Sequence, residues 1–141
     1  MAFTPLSSTT FKNVVALTNN TGSALSVTAG QLIKANLSTG ALESCTTTTT
    51  QNEAVFRVVN TASVAASATF DVVPVGKDAS VFIVDTANNS NAAHNGQRMI
   101  ITAGGLTLTN TGTDVSGSTG MFAQIGVVGA AADKKILAVR A

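Results

Sequence analysis

The chain of 141 residues has no tryptophan or tyrosine, one cysteine, one histidine and two prolines, and only 11% of its residues are charged. Each shortage narrows what the protein can do. Without Trp or Tyr, and with its six Phe spread along the chain, it lacks the usual platforms for stacking bases or sugar rings. Nucleic-acid and carbohydrate binding are therefore disfavoured. The Lys and Arg are scattered from Lys12 to Arg140 and the net charge is +1, so there is no electrostatic footprint for nucleic acid or an anionic membrane. A lone cysteine, Cys45, cannot form an internal disulfide, and the local sequence gives it no basic neighbour to activate a thiolate. It reads as a small apolar filler on a strand. No apolar run approaches the ~20 residues of a membrane span. Residues 1–8 lack the cationic and then apolar order of a secretion signal, so the expected product is soluble and made in the cytoplasm.

Catalytic chemistry is equally short of parts. His94 is the only histidine, which excludes a two-histidine metal site, and its Asn-rich loop offers no evident partner to orient it as a general base. The carboxylates Glu43, Glu53, Asp71, Asp78, Asp85, Asp114 and Asp133 fall mostly at strand ends or turns, and none has the spacing of a calcium loop. Asp85 and Asp114 remain a pair that folding could bring together. The glycine pairs Gly126/Gly129 and Gly117/Gly120 match no phosphate-binding pattern and precede no helix, so they read as turns or bulges. Asn-x-Ser/Thr triplets at Asn19, Asn36 and Asn88 are chance in an Asn- and Thr-rich chain without a secretion signal. The expectation is a protein that is not an enzyme, with no cofactor and no metal.

Plentiful instead are β-branched residues, small polar residues and turn formers. Hydrophobic residues make up 45% of the chain, in short runs with a period of two and never in a helical pattern of ten residues or more. Strands are predicted at 11–18, 24–28, 31–36, 41–46, 53–61, 68–75, 80–85, 97–102, 106–109, 121–128 and 135–140. Glycine turns at Gly40 and at Gly104-Gly105 supply hairpins. Pro74 belongs on an edge or at a bulge, the run 80–85 reads as buried on both faces, and the last strand should dock into a sheet laid down earlier. The loops 86–95 and 110–120 read as surface. The fold class is all-β, an antiparallel β-sandwich or β-barrel, jelly-roll-like or β-tulip-like. It comprises one domain over 11–141, preceded by an extended arm over 1–10 that is either a loose terminus or a strand added to a neighbouring subunit.

Three stretches carry a resemblance: Ala29-Gly30-Gln31-Leu32 with Gly40-Ala41-Leu42, then Phe70-Asp71-Val72-Val73-Pro74-Val75-Gly76, then residues 129–137. In strand and turn texture over about two thirds of the chain, they are similar to the small capsid decoration, or cement, proteins of tailed bacteriophages. The resemblance implies a structural protein of the virion on the outer capsid surface. It would be a homotrimer bridging adjacent major capsid proteins and stabilising the shell, synthesised in the host cytoplasm and binding neither nucleic acid nor membrane. On that reading Phe3, Pro5, Leu6 and Phe11 form the capsid-facing arm, whose removal should leave the fold intact, and the two surface loops lie distally or between subunits. The rival expectations are another virion subunit, capsid or tail tube, and a head-fibre or adhesin module.

Overall fold

The structure, a computed structural model, describes residues 3–6, 14–77 and 81–141. Among these residues the chain is all-β and forms thirteen strands. The first eight are β1 (Phe3–Pro5), β2 (Val15–Thr18), β3 (Leu25–Val27), β4 (Leu32–Ala35), β5 (Leu42–Ser44), β6 (Val55–Val58), β7 (Ala62–Val64) and β8 (Thr69–Pro74). The others are β9 (Val81–Asp85), β10 (Arg98–Thr102), β11 (Thr107–Thr109), β12 (Phe122–Val128) and β13 (Lys135–Arg140). Two single-turn 3-10 helices, Ala92–His94 and Ala131–Asp133, interrupt the loops.

The strands pair antiparallel into a six-stranded sheet, β1-β9-β13-β12-β10-β11, a five-stranded sheet, β2-β8-β6-β4-β5, and a two-stranded ribbon, β3-β7. The two larger sheets face one another as a sandwich. Phe82, Val84, Met99, Ile101, Phe122, Ile136 and Ala138 from the first meet Leu32 and Val55 from the second. Successive side chains on a strand point to opposite faces, and the five-stranded sheet buries both of its own. On β4, Leu32 lies in the sandwich core while Ile33 joins Val58, Val72, Val27 and Val64 in a second cluster beneath the ribbon. That is why β4 and β6 carry buried or half-buried apolar residues at successive positions, interrupted only by Lys34 and Arg57, rather than alternating ones.

Local sequence explains the connections. In the β4–β5 hairpin, the Asn36 side chain accepts from the backbone N–H groups of Ser38 and Thr39, and Gly40, at φ +72°, donates its own to the Asn36 carbonyl at 2.7 Å. Gly105 answers a tighter demand. At φ +91° it accepts from Leu32 N–H at 2.9 Å, and a Cβ there would lie 2.1 Å from the Leu32 carbonyl oxygen. Only glycine lets the β10–β11 hairpin close on β4. Pro74 pairs with Phe56 and lies beyond Val15, the first residue of β2, so among the described residues no strand faces it on its other side. A bulge between Gln124 and Gly126 breaks the β12–β13 register. The strand β13 lies centrally, between β9 and β12, as its docking signal implied.

Three expectations need correction. Phe3 does not project from an arm: β1 pairs with β9, and the Phe3 ring is fully buried, its centroid 5.1 Å from that of Phe122 and 6.3 Å from that of Phe82. The most apolar side chain of a Ser- and Thr-rich decade gains most by joining the chain's own core, so removing this segment would open that core. Ala62–Val64, within the Ala- and Ser-rich bend expected between the strands at 53–61 and 68–75, is itself a strand, because Val64 pairs with Leu25 and is buried against the five-stranded sheet. The run from Val81 to Asp85 is not buried on both faces; Phe82 and Val84 are interior while Val81 and Ile83 are half-exposed. Phe11 and Asp78 lie outside the described residues.

Replacing Phe3 with Ala should destabilise the protein by about 3–5 kcal/mol, the usual cost of truncating a buried aromatic. Equilibrium unfolding in urea measures it, and a loss below about 1 kcal/mol would mean that the ring is not a core residue.

Candidate functional site

The groups that sequence reasoning weighed as chemical parts are dispersed. Asp85 lies within 2.5 Å of Lys135 and Asp114 within 3.0 Å of Arg98, so each carboxylate has its own cation. The Arg98 side chain also holds Asp114 below the usual carboxylate range. His94 ends the first 3-10 turn, half-buried, with its Nε2 beside Gly112 and its Nδ1 buried without a hydrogen-bond partner. Among the described residues no three His, Cys, Asp or Glu side chains converge as metal ligands would. Cys45 is fully buried in the sandwich core, and burial pushes its thiol up to about 12. At neutral pH it is a thiol and not a nucleophile.

Sequence reading missed the polar cluster at one end of the sandwich. Lys34, on the inner face of β4, donates from Nζ to Glu53 Oε2 at 2.7 Å and lies 3.4 Å from Glu43 Oε1. The second Glu53 oxygen accepts from Thr50 N–H at 2.9 Å. The Glu53 hydrogen bond holds the Lys34 ammonium above its usual range. Burial alone pushes the Glu53 carboxyl up, but the bonds from Lys34 and Thr50 more than offset it, and the net shift is downward. The signal lay in a Lys at the centre of an otherwise apolar strand, a position that needs a carboxylate opposite.

Two arginines cross between the sheets in opposite directions. Arg57 of β6 is almost fully buried and donates from Nε to the Phe3 carbonyl, fastening β1 to the opposite sheet. Arg140 of β13 donates from Nη1 to Val75 O at 2.6 Å and from Nη2 to Gln51 O and Glu53 O at 3.1 Å each. Arg140, Lys77, Glu53 and Pro74 border a cleft of about 340 Å³. Two of its charged groups are engaged within the protein: the Arg140 Nη atoms cap three backbone carbonyls and the Glu53 carboxylate holds Lys34, while Arg140 Nε is buried without a hydrogen-bond partner. The cleft is a structural joint.

Exposed apolar groups form the more distinctive surface. Leu6 is 56% exposed, Val14 45% and Val15 41%. Leu6 follows the edge strand β1, Val14 precedes the edge strand β2 and Val15 opens it. Of the residues expected to form a partner-facing arm, Leu6 is exposed, Pro5 half-buried on β1, and Phe3 interior. The outer face of the six-stranded sheet carries further half-exposed aliphatics, among them Ile83 and Leu137.

Comparison with known protein families, curated proteins and solved structures finds no match. The surface itself is what remains to be read.

The Lys34–Glu53 pair makes stability depend on pH in a defined way. Because the Glu53 pKa is lowered on folding, its contribution is fully present above the ordinary value of 4.5 and is lost as pH falls through the lower folded value. The Lys34 contribution is present below its ordinary value of 10.5 and is lost as pH rises through the higher folded one. Glu53→Gln should cost about 2–3 kcal/mol at neutral pH, less than the full loss of a buried pair because the buried Lys34 ammonium keeps the more exposed Glu43 as a partner, and should flatten the acid limb of the stability profile. Unfolding midpoints from pH 3 to pH 7 test this (about the span of carboxylate titration); parallel profiles for the two proteins would overturn it. Cys45 should resist thiol reagents in the native protein and react only on unfolding, as a titration with a chromogenic disulfide would show.

Proposed function

We propose that the chain is a non-enzymatic virion protein that decorates the outer surface of a tailed-bacteriophage capsid and stabilises it by bridging major capsid subunits. What supports the reading is apolar surface at free sheet edges. Leu6, Val14 and Val15 stand beside β1 and β2, each of which, among the described residues, has a strand on one side only. An edge strand offers unpaired backbone donors and acceptors, and soluble proteins usually shield such edges with charge. Here aliphatic side chains stand beside them, an arrangement suited to β-augmentation by a partner segment.

The low charge fits the same role. A subunit repeated many times over a shell needs only a modest contact at each position, since bridging two shell subunits converts the second contact into an intramolecular one. Packaged DNA presses outward on such a shell, and a clip across subunit boundaries opposes that pressure. The number of copies that the resemblance implies is three. Phe3 has a different part from the one first expected: it anchors β1 within the body and leaves Pro5 and Leu6 at the rim.

The test is cosedimentation with undecorated capsids of the virus that encodes the chain. Wild-type protein should pellet with the shells, and Leu6→Lys combined with Val15→Lys should lower the bound fraction at least about tenfold, since a charge in the core of an apolar contact costs more than 1.4 kcal/mol. Equal binding by the folded double variant would remove these edges from the proposal, and failure of the wild-type protein to bind would end it.

A further inference from the structure

The outer face of the six-stranded sheet is built for contact. On β13, Leu137 and Val139 alternate with Ile136 and Ala138, both fully interior. On β9, their register partners Ile83 and Val81 alternate in the same way with Phe82 and Val84. Ala123 of β12 is paired with Val139 and extends the row. These five side chains are half-exposed and belong to neither core cluster. A sheet face that needs only solvent carries polar residues at such positions.

We propose that this face is a contact between two copies of the chain, packed sheet against sheet about a twofold axis. Charge is the first argument. The ionic groups at its margins neutralise one another, Lys135 with Asp85 and Arg98 with Asp114. The face therefore has no net charge with which to repel its own image, and no uncompensated charge with which to select an acidic or basic partner. Shape is the second. Gly126 is the β12 register partner of Leu137, and a Cβ on it would sit 3.4 Å from Leu137 Cδ1. Having none, it lets the half-exposed Leu137 side chain lie flat over the β12 backbone at this point. A twofold operation sets this flat aliphatic row of each copy against the same row of the other, as an isologous contact requires.

Size is the third argument. Six strands at about 4.8 Å spacing, with roughly five residues each at about 3.4 Å rise, give a face of about 29 by 17 Å. That is about 490 Å² per copy and close to 1,000 Å² for the pair, the lower limit of a specific interface. Twisted sheets stack with their strands about 30° apart, which keeps most of this area in contact. The pair should accordingly dissociate in the micromolar range.

The inference goes beyond capsid binding and does not depend on it, because the shell contact was assigned to the edges. Native mass measurement well above micromolar concentration should give an even number of copies, whether a pair or paired trimers. Leu137→Arg should halve that mass. Leu137→Thr, which places on this face a residue that β10 already carries at Thr102, should weaken association in proportion and guards against misfolding of the arginine variant. Leu137→Cys supplies the one reactive thiol in a protein whose own cysteine is buried, and mild oxidation should link two copies through it. A monomeric or odd-numbered wild-type protein, or a mass unchanged by either substitution, overturns the proposal. If Leu137→Arg keeps its mass but no longer binds capsids, the face belongs to the shell and the pairing is refuted while the decorating role survives. A pair that forms but never binds capsids upholds the pairing and refutes the decorating role.

Discussion

Everything in this fold depends on a five-stranded sheet that is apolar on both faces. With no disulfide and few charges, the chain must hold itself together by excluding water, and a sheet covered on one side only would leave Ile33, Val58 and Val72 wet. The β3-β7 ribbon prevents that on one face, and the six-stranded sheet covers the other. Burial of a side chain of this size is worth about 1.5–3 kcal/mol, so the three-layer arrangement follows from the sequence of β4 and β6 rather than being added to it.

The polar groups inside the sandwich tie the layers in register. Arg57 reaches from the five-stranded sheet to the Phe3 carbonyl, and Arg140 reaches from the six-stranded sheet to three carbonyls around β8 and the segment before β6. Each guanidinium satisfies carbonyls that strand pairing leaves open, which is how buried polar atoms become tolerable. Lys34 and Glu53 do the same with opposite charges. Such groups fix one alignment of two sheets that aliphatic contacts alone would let slide. Their engagement also explains why a cleft bordered by Arg140 and Glu53 has little chemistry to offer.

Most strand positions were legible because they follow a period of two between glycine turns: Lys135–Arg140, Arg98–Thr102 and the hairpin at Gly40 are plain in the sequence. Less legible were features set by distant neighbours. Phe3 reads as a loose terminus until β9 and the rings of Phe82 and Phe122 are in place, and Ala62–Val64 reads as a bend until Leu25 is seen opposite. The run at Val81–Asp85 looks doubly buried because composition cannot distinguish a second layer of the same molecule from an uncovered aliphatic face. The Lys34–Glu53 pair joins residues 19 apart in sequence, beyond any local spacing rule. Surface chemistry was the least legible part, since a partner leaves no periodic trace.

The chain order of the two sheets differs in a way that matters while the protein is being made. Every strand of the five-stranded sheet and of the ribbon falls between Val15 and Pro74, whereas the six-stranded sheet joins Phe3 at one edge to strands that run to Arg140. On a ribosome, the first half can therefore collapse early, but with one hydrophobic face open. The first strand must wait for a partner made more than seventy residues later, and β9 and β12 stay unjoined until β13 emerges to pair with both. The nascent chain thus passes through a half-built, adhesive stage whose duration is set by translation speed. Slow codons in the second half of the message would lengthen that exposure, so crowded synthesis is the point at which this molecule is most liable to clump.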